Sequence, residues 1–263
     1  MSQGKQSFVV TDPDTHSNPP LLEVENVSKS FGGVQALRTG SFRLEKGEVI
    51  AVVGANGAGK STLIKTVAGV YPPDSGEIRI KGEPIDLNDH SVSRMRERGI
   101  EVVYQDLALV PNMSAPYNLF LGRTPRKWGI FADNRSMRAK TREVLDQLNV
   151  KTVQDLSRPI SDLSGGQQQS IAIGRAIAWG KEIVILDEPT AALGPNETAE
   201  VERMVEEVRD NHGTSFILIS HNLEQVQRLA DRIIVIHHGV TSQEFERGRV
   251  TADRLVKAIT VGV

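Results

Sequence analysis

Residues 54–62 read GANGAGKST and fit the pattern G-x-x-x-x-G-K-[ST]. The continuous apolar run 49–53 precedes them and predicts a strand buried on both faces of a parallel sheet, while residues 60–68 predict a helix. Glycines allow several backbone N–H groups to point into one nest, and the helix N-terminus adds partial positive charge. This order predicts a loop that binds phosphate groups; the alternative is a glycine-rich turn that only caps a helix.

The side chains of this loop have separate expected roles in holding a nucleoside triphosphate. We expect Lys60 to reach the β and γ phosphates and the Ser61 hydroxyl to ligate Mg²⁺. Thr62 can bond the α or β phosphate. The predicted nucleotide-binding residues of the loop are Gly54, Asn56, Gly57, Ala58, Gly59, Lys60, Ser61 and Thr62.

A second feature is the apolar stretch 183–186, which is followed directly by Asp187 and Glu188. Open α/β sheets bind their ligands at the carboxyl ends of the strands, where these two acids fall. We expect Asp187 to hold Mg²⁺ directly or through a water, and Glu188 to polarise the water that attacks the γ-phosphate. Taken alone, two acids at a strand end are better explained as solvated side chains. Beside the phosphate loop they indicate a nucleoside triphosphatase.

The spacing of apolar residues predicts an α/β fold with two kinds of strand. Alternating apolar and polar residues, typical of a half-exposed antiparallel sheet, lie at 21–27, 41–44 and 77–80. Continuous apolar runs, typical of a buried parallel sheet, lie at 49–53, 183–186, 216–219 and 233–236. The prediction is a mostly parallel core sheet with right-handed crossovers and an N-terminal antiparallel β subdomain.

Two regions between these strands have helical character. Residues 197–210 carry one apolar stripe at helical spacing, formed by Val201, Met204, Val205 and Val208. Residues 91–156 contain helical stretches such as 136–148 and no buried-strand run after Val103. This pattern predicts a mostly helical subdomain, roughly 106–165, inserted into the α/β core.

The composition is that of an ordinary soluble globular chain. The 31 Lys and Arg against 33 Asp and Glu give a formal charge of −2, which provides no general attraction to nucleic acid or anionic lipid. The chain has no cysteine, which excludes disulfides and suits a reducing compartment. No apolar run approaches the roughly 18 residues that a bilayer-spanning helix needs, so we expect a chain that neither crosses the membrane nor is exported.

The first twenty residues differ from the rest of the chain. They are rich in Ser, Asp, Thr and Pro without a sustained apolar period, which predicts a mobile tail over 1–20. Residues 21–263 are then expected to form a single domain that contains the helical subdomain.

Residues 163–167, LSGGQ, resemble the signature sequence of ATP-binding-cassette (ABC) proteins. Ser164 and the amides of Gly165 and Gly166 open a predicted helix over 167–178, so their donors can face a phosphate; a simple helix cap is the alternative. The resemblance implies that Ser164, Gly165, Gly166 and Gln167 complete the ATP site of a second subunit. Two copies, or this chain and a homologous ATPase subunit, would then enclose two ATP molecules head to tail.

The resemblance also gives roles to three residues elsewhere. Gln105, in Val-Val-Tyr-Gln, resembles the loop glutamine that touches Mg²⁺ and the attacking water, and His221 resembles the switch histidine that contacts the γ-phosphate. Phe31 matches the aromatic residue that stacks on adenine. Taken as an isolated residue, His221 would more often be a structural histidine, and the alternative for Phe31 is a core aromatic. The resulting catalytic set is Glu188, His221, Gln105 and Lys60, and the Mg²⁺ set is Ser61, Gln105 and Asp187.

One departure from the family pattern narrows the resemblance. Residues 191–194 read AALG where most ABC proteins have Ser-Ala-Leu-Asp, so Gly194 replaces an aspartate that helps to couple the two ATP sites. Together with 104–109, 118–122 and 219–222, this segment resembles the ATPases of bacterial monosaccharide importers of the ribose, xylose and fructose type. That likeness implies an integral membrane permease, a secreted or periplasmic sugar-binding protein, and a place on the cytoplasmic face of the membrane.

Two other functions fit the same motifs. A soluble ABC-type ATPase could act on nucleic acid or ribosomes, but such proteins typically carry two cassettes, coiled-coil arms or zinc modules, and this chain has one cassette and no basic excess. A regulatory ATP sensor would not turn over ATP. The intact Asp187, Glu188 and His221 argue against a sensor.

Overall fold

A computed structural model of the chain describes residues 19–127, 131–180 and 182–262. The predicted mobile tail therefore lies outside the described residues, apart from Pro19 and Pro20. The last residue of the predicted single domain, Val263, also lies outside them.

Strands and helices alternate along most of the chain. The strands are β1 (Leu22–Phe31), β2 (Val34–Leu44), β3 (Val49–Val53), β4 (Ser75–Ile80), β5 (Glu83–Pro84), β6 (Ile100–Val103), β7 (Arg126–Lys127), β8 (Phe131–Ala132), β9 (Ile183–Asp187), β10 (Ser215–Ile219), β11 (Arg232–His237) and β12 (Val240–Glu246). The helices are α1 (Lys60–Val67), α2 (Val92–Glu97), α3 (Ala115–Leu119), α4 (Asn134–Gln147), α5 (Gly165–Trp179), α6 (Pro195–His212), α7 (Leu223–Leu229) and α8 (Ala252–Val261).

Ten of the strands form one mixed sheet in the order β5-β4-β1-β2-β12-β11-β3-β10-β9-β6. The pairs β11–β3, β3–β10, β10–β9 and β9–β6 are parallel, and β5, β4, β1 and β2 pair antiparallel. Strand β12 joins the two halves, because it is antiparallel to β11 and forms a single parallel bridge with β2. The predicted α/β fold, with its mostly parallel core and N-terminal antiparallel strands, is confirmed.

Buried apolar residues cover both faces of the sheet. One cluster lies among α3, α4, α5 and α6, and a second lies under α1 and α2 against the antiparallel strands. The predicted stripe of α6 belongs to the first cluster, since its four residues are at most 2% exposed. Each such side chain contributes roughly 1.5–3 kcal/mol through burial. This packing fixes the strand ends that carry the acidic residues.

The segment between β6 and β9 is mostly helical, as predicted, and includes α3, α4 and the small β7–β8 pair. The backbone of residues 110–114, which precedes α3, is held by the side chain of Asn118, which is fully buried. The Asn118 carboxamide accepts from the Val110 N–H at 2.7 Å and donates to the carbonyls of Val110, Met113 and Ser114. Four bonds to one side chain hold the irregular backbone that leads from the sheet into α3. The boundaries 106–165 remain a prediction.

Two elements near the end of the chain were not predicted. Strand β12 alternates only between half-buried and exposed side chains, so its apolar period is weak. Helix α8 packs on β11 through Leu255 and Ala258. In the part of the chain that the structure describes, no helix is long and apolar enough to cross a membrane.

Candidate active site

The loop 54–59 joins β3 to α1, and the backbone of two other strands packs closely against it. Gly59 precedes the helix with φ of 108°, a conformation that L side chains rarely adopt. A Cβ atom on Gly59 would lie 2.7 Å from the carbonyl oxygen of Ala36, and one on Gly54 would lie 2.3 Å from that of Ile236. The sequence therefore needs glycine at both positions, because backbone from β2 and β11 holds the loop closely.

Lys60 is the first residue of α1, and its side chain folds back into this loop. Its Nζ donates to the carbonyl oxygens of Gly54 at 2.7 Å and Ala55 at 3.0 Å. Burial lowers the pKa of Lys60, and the negative charges of Glu188 and Asp187 act in the opposite direction. The ammonium group is thus placed where an anionic ligand of the loop would meet it.

The remaining loop residues provide exposed donors around Lys60. Asn56, Gly57 and Ser61 are exposed, Thr62 is half-buried, and Ala58 is buried. The N–H of Gly239 donates to the Ala58 carbonyl at 2.8 Å, so a hydrogen bond from the turn between β11 and β12 holds the loop in place.

The two predicted acids occupy the end of β9. Burial raises the pKa of Asp187, the charge of Glu188 raises it further, and Lys65 and Lys60 oppose both effects. Glu188 has φ of 50°, and its N–H donates to the Ile219 carbonyl at 2.9 Å. A left-handed residue at this point turns the chain out of the sheet and directs the carboxylate across the strand ends.

The donor set fits Mg²⁺ bound together with a polyphosphate. The described residues contain no group of three or more His, Cys, Asp or Glu that could hold a metal alone. Mg²⁺ usually keeps waters and binds through one or two carboxylates plus phosphate oxygens. The Asp187 carboxylate is a ligand of that kind, and the Ser61 hydroxyl offers one further oxygen.

His221 contacts Glu188 directly. Its Nδ1 lies 2.7 Å from Glu188 Oε2, and its backbone N–H donates to the same oxygen at 3.4 Å. The parallel register places Ile219 beside Asp187, so the residues that follow β9 and β10 meet at one edge. The His221 side chain is 71% exposed, whereas that of Glu188 is 17% exposed. This exposure argues against a buried structural histidine.

A buried glutamine that was not predicted connects the two loops that carry Glu188 and His221. Gln225 is fully buried, and its Oε1 accepts from Thr190 Oγ1 at 3.2 Å and from Ser220 Oγ at 2.9 Å. Its N–H also donates to Asn222 Oδ1 at 3.1 Å. The signal in the sequence that could have indicated this buried residue is weak. It consists of a polar residue directly before the apolar Val226 on a short helix.

Gln105 leaves the sheet at the same edge, because Val103 of β6 is paired with Leu186 of β9. Gln105 is exposed. The following residues, Leu107 and Ala108, both have positive φ, and Arg175 of α5 donates to their carbonyls at 2.8 and 2.7 Å. This link between α5 and the glutamine loop was also missed from the sequence.

Residues 164–167 form the start of α5. Ser164 Oγ accepts from the Gln167 N–H at 3.3 Å, and Gln167 Oε1 accepts from the Ser164 N–H at 2.9 Å. This is a capping box, in which both ends of the first helical turn are satisfied. Within the described ranges, no hydrogen bond joins these residues to the phosphate loop or to β9. One chain therefore does not bring the two groups of predicted residues into direct contact.

Phe31 is the last residue of β1 and is 42% exposed, which excludes a core position. Its ring meets that of Tyr71 edge to face, with 4.9 Å between centroids. An exposed aromatic face of this kind can accept a planar base.

Comparisons with known proteins found relatives in both sequence and fold. A family described as "ABC transporter" matches residues 37–191. The chain is 44% identical over 220 residues to the fructose import ATP-binding protein FrcA of Rhizobium meliloti, covering 81% of this chain and 84% of that protein. It is 37% identical over 240 residues to the xylose/arabinose import ATP-binding protein XylG of Sulfolobus acidocaldarius, covering 91% and 94%. A crystal structure of a nucleotide-free ATP-binding cassette from an ABC transporter superposes with a TM-score of 0.80 at 25% identity, covering 93% and 99%.

Proposed function

This chain belongs to the ABC transporter family, and we propose that it is the ATP-hydrolysing subunit of a transporter that imports a monosaccharide. The observation that carries this proposal is the meeting of Lys60, Asp187, Glu188 and His221 at one edge of the sheet. The fructose and xylose/arabinose import proteins named above support the sugar assignment.

ATP would bind with its phosphates in the loop 54–62 and its base against Phe31. The loop amides, the Lys60 ammonium and the start of α1 would neutralise the β and γ phosphates. Ser61, Asp187 and Gln105 would hold Mg²⁺, which supplies further positive charge next to the phosphates.

Hydrolysis would depend mainly on the position of Glu188. Its carboxylate orients a water and takes a proton from it as the water oxygen bonds to the γ-phosphorus. The bond from phosphorus to the β–γ bridging oxygen breaks, leaving ADP and phosphate. His221, which contacts Glu188, would meet the γ-phosphate from the exposed side.

A second copy would complete each site. The start of α5 presents the Ser164 hydroxyl and helix N-terminal amides, which attract anions. Because these donors make no contact with the phosphate loop of the same chain, the head-to-tail pair is the arrangement that uses them. Two chains would close on two ATP molecules and open after hydrolysis.

The membrane permease would dock in a groove of about 330 Å³ beside the glutamine loop. Leu119, Leu121 and Trp179 give the groove apolar walls, and Arg123 stacks on the Trp179 ring at 5.0 Å. Arg175 also lines it and bonds the backbone that follows Gln105. A cytoplasmic segment of the permease in this groove would therefore respond to movement of both α5 and the glutamine loop.

The imported solute would never touch this subunit. Sugar specificity would belong to the permease and to a secreted or periplasmic binding protein, and this chain would sit on the cytoplasmic face of the membrane. No relative named above points to nucleic acid or ribosomes as the target.

Phosphate release from Mg²⁺-ATP by the purified chain tests the enzymatic part, with Glu188→Gln as the inactive reference. Co-expression with a neighbouring permease gene, followed by purification through the permease, tests the transport part. We expect co-purification and sugar-dependent stimulation in vesicles that also contain the binding protein. Recovery with ribosomes or DNA, and none with the permease, would overturn the transport assignment.

A further inference from the structure

Glu197, in the first turn of α6, bonds two backbone amides that belong to different functional segments. Its Oε1 accepts from the N–H of Gly166 at 3.3 Å, and its Oε2 accepts from the N–H of Gly194 at 3.2 Å. Gly166 lies in the first turn of α5, and Gly194 is the position where the family usually has aspartate. One carboxylate therefore ties the signature segment to the segment that follows Glu188.

The close packing at Gly166 shows that this contact is built into the chain. A Cβ atom on Gly166 would lie 3.0 Å from both Cγ and Oε1 of Glu197. Any larger residue at position 166 would push the carboxylate away from the amide. The absence of a side chain at Gly166 therefore permits the contact with Glu197 within the chain, and it also leaves the amide accessible to a ligand.

The Gly166 amide is also one of the donors that the proposed function offers to the γ-phosphate of the partner's ATP. A carboxylate oxygen and a phosphate oxygen are both anionic acceptors for the same N–H, and their charges repel each other. The two acceptors cannot occupy that donor together.

We propose that Glu197 competes with the γ-phosphate of the partner's ATP for the Gly166 amide, so that closure of the pair displaces this carboxylate. The inference rests on the proposed function. Displacement also changes the bond at Gly194, six residues beyond Glu188. Glu197 would then report the arrival of ATP at the signature segment to the loop that carries Glu188, in a chain whose Gly194 has no side chain for that purpose.

The opposing explanation is that Glu197 only stabilises the start of two helices. Acidic residues in a first helical turn do so through the N–H groups and the helix dipole. The two explanations differ in sign. Loss of a competing carboxylate strengthens ATP-driven pairing, whereas loss of a structural contact weakens it or leaves it unchanged.

The test measures ATP-driven dimerisation of the full chain by size-exclusion chromatography with light scattering. Glu197→Gln and Glu197→Ala are placed on a Glu188→Gln background, which retains bound ATP, and Mg²⁺-ATP is titrated. We expect half-maximal dimerisation at an ATP concentration about tenfold lower than in the Glu188→Gln parent, since one charge-assisted bond no longer opposes closure. Circular dichroism and melting curves check that both variants fold.

Glu200→Gln on the same background is the matched control. It removes the same charge from the same helix, and Glu200 makes no hydrogen bond or ion pair within the described residues. If Glu197→Ala needs as much ATP as the parent, or more, competition is wrong and Glu197 is a helix cap. If the parent itself forms no dimer at saturating ATP, the proposed pairing is wrong and this inference falls with it.

Discussion

The Nδ1 atom of His221 lies 2.7 Å from the Oε2 atom of Glu188, although the two residues are 33 positions apart in the chain. The parallel pairing of β9 with β10 brings them together, because Glu188 is the first residue after β9 and His221 the second after β10, at the same edge of the sheet. The left-handed conformation of Glu188 turns its carboxylate toward the neighbouring loop. The contact therefore arises from strand order and backbone conformation together.

The first prediction concerns the role of Glu188 as the group that activates water. Glu188→Gln keeps the shape of the side chain but removes its ability to take a proton. We expect phosphate release to fall by at least about 100-fold, while ATP affinity stays near that of the wild type. Steady-state phosphate release and equilibrium nucleotide binding measure the two quantities.

Glu224→Gln is the control for this variant, since Glu224 is exposed and lies three residues after His221. A rate for Glu188→Gln close to that of Glu224→Gln would show that another group activates the water.

The second prediction uses the raised pKa of Asp187. Burial raises the pKa of Asp187 in the folded chain above the ordinary value of 3.8. At pH values between the unfolded-state and folded-state pKa, the folded chain therefore binds more protons than the unfolded chain. Stability therefore rises as pH falls through the folded-state pKa, and the charged form costs free energy at neutral pH. Asp187→Asn should raise the melting temperature at pH 7, with a gain that shrinks at acidic pH.

The same variant should weaken Mg²⁺-dependent ATP binding by at least about tenfold, because the amide carries no charge for the metal. Calorimetric melting at several pH values and nucleotide titration with and without Mg²⁺ provide the measurements. A melting temperature that falls at pH 7, while that of Glu200→Gln is unchanged, would contradict the assigned cost of burying Asp187.

The third prediction concerns the close approach at Gly54. Gly54→Ala would place a methyl group 2.3 Å from the Ile236 carbonyl oxygen, so either the loop or β11 must shift. We expect a loss of about 1–3 kcal/mol in the free energy of unfolding and loss of ATP binding. Gly33→Ala is the stability control, because a Cβ there meets nothing within 4 Å and its φ is not positive. Equal denaturation midpoints for the two variants would refute this explanation.

The features that could be predicted from the sequence are those fixed by local pattern. The run 49–53 with its glycine loop, the acids after 183–186, and the stripe on α6 each follow from residues adjacent in the chain. Strand β1 extends to Phe31, beyond the predicted 21–27, because pairing with β2 satisfies its backbone where the apolar period is weak.

The contacts that could not be predicted join residues far apart in the sequence. Glu197 and Gly166 are 31 positions apart, and Arg175 reaches carbonyls 67 and 68 positions away. Single-sequence patterns contain no information about such pairs, since a charged residue on a helix usually faces solvent. The functional roles of the site residues remain predictions.

The fourth prediction tests the proposed permease groove. Leu121 lines it and is 47% exposed, so Leu121→Asp introduces a charge on an apolar wall with little effect on the fold. We expect co-purification with the permease to fall by about tenfold or more, because the carboxylate removes apolar contact area and must lose its hydration when the permease covers it. Val256→Asp on α8 is the control, as Val256 is 45% exposed and lies outside the groove. Equal recovery of the permease with both variants would place the docking surface elsewhere.

The fifth prediction concerns Gln225 as a positioning residue. Its Oε1 accepts from Thr190 and Ser220, which lie on the loops that carry Glu188 and His221. Gln225→Leu preserves volume but leaves the hydroxyls of buried Ser220 and half-buried Thr190 without that acceptor, at a cost of about 1–3 kcal/mol. The two loops should then vary in separation, and because small misplacements of catalytic groups are costly, we expect kcat to fall by about tenfold or more.

Two further measurements separate positioning from simple stability. KM for ATP should stay close to the wild-type value in Gln225→Leu, since the phosphate loop does not contact this residue. Gln225→Glu retains an oxygen that both hydroxyls can reach, and the Nε2 that it replaces has no hydrogen-bond partner. It should therefore keep more of the wild-type kcat than Gln225→Leu does. If both variants lower the melting temperature while kcat at 20 °C below that temperature stays at the wild-type value, Gln225 supports the fold alone, because positioning requires kcat to follow the hydrogen bonds.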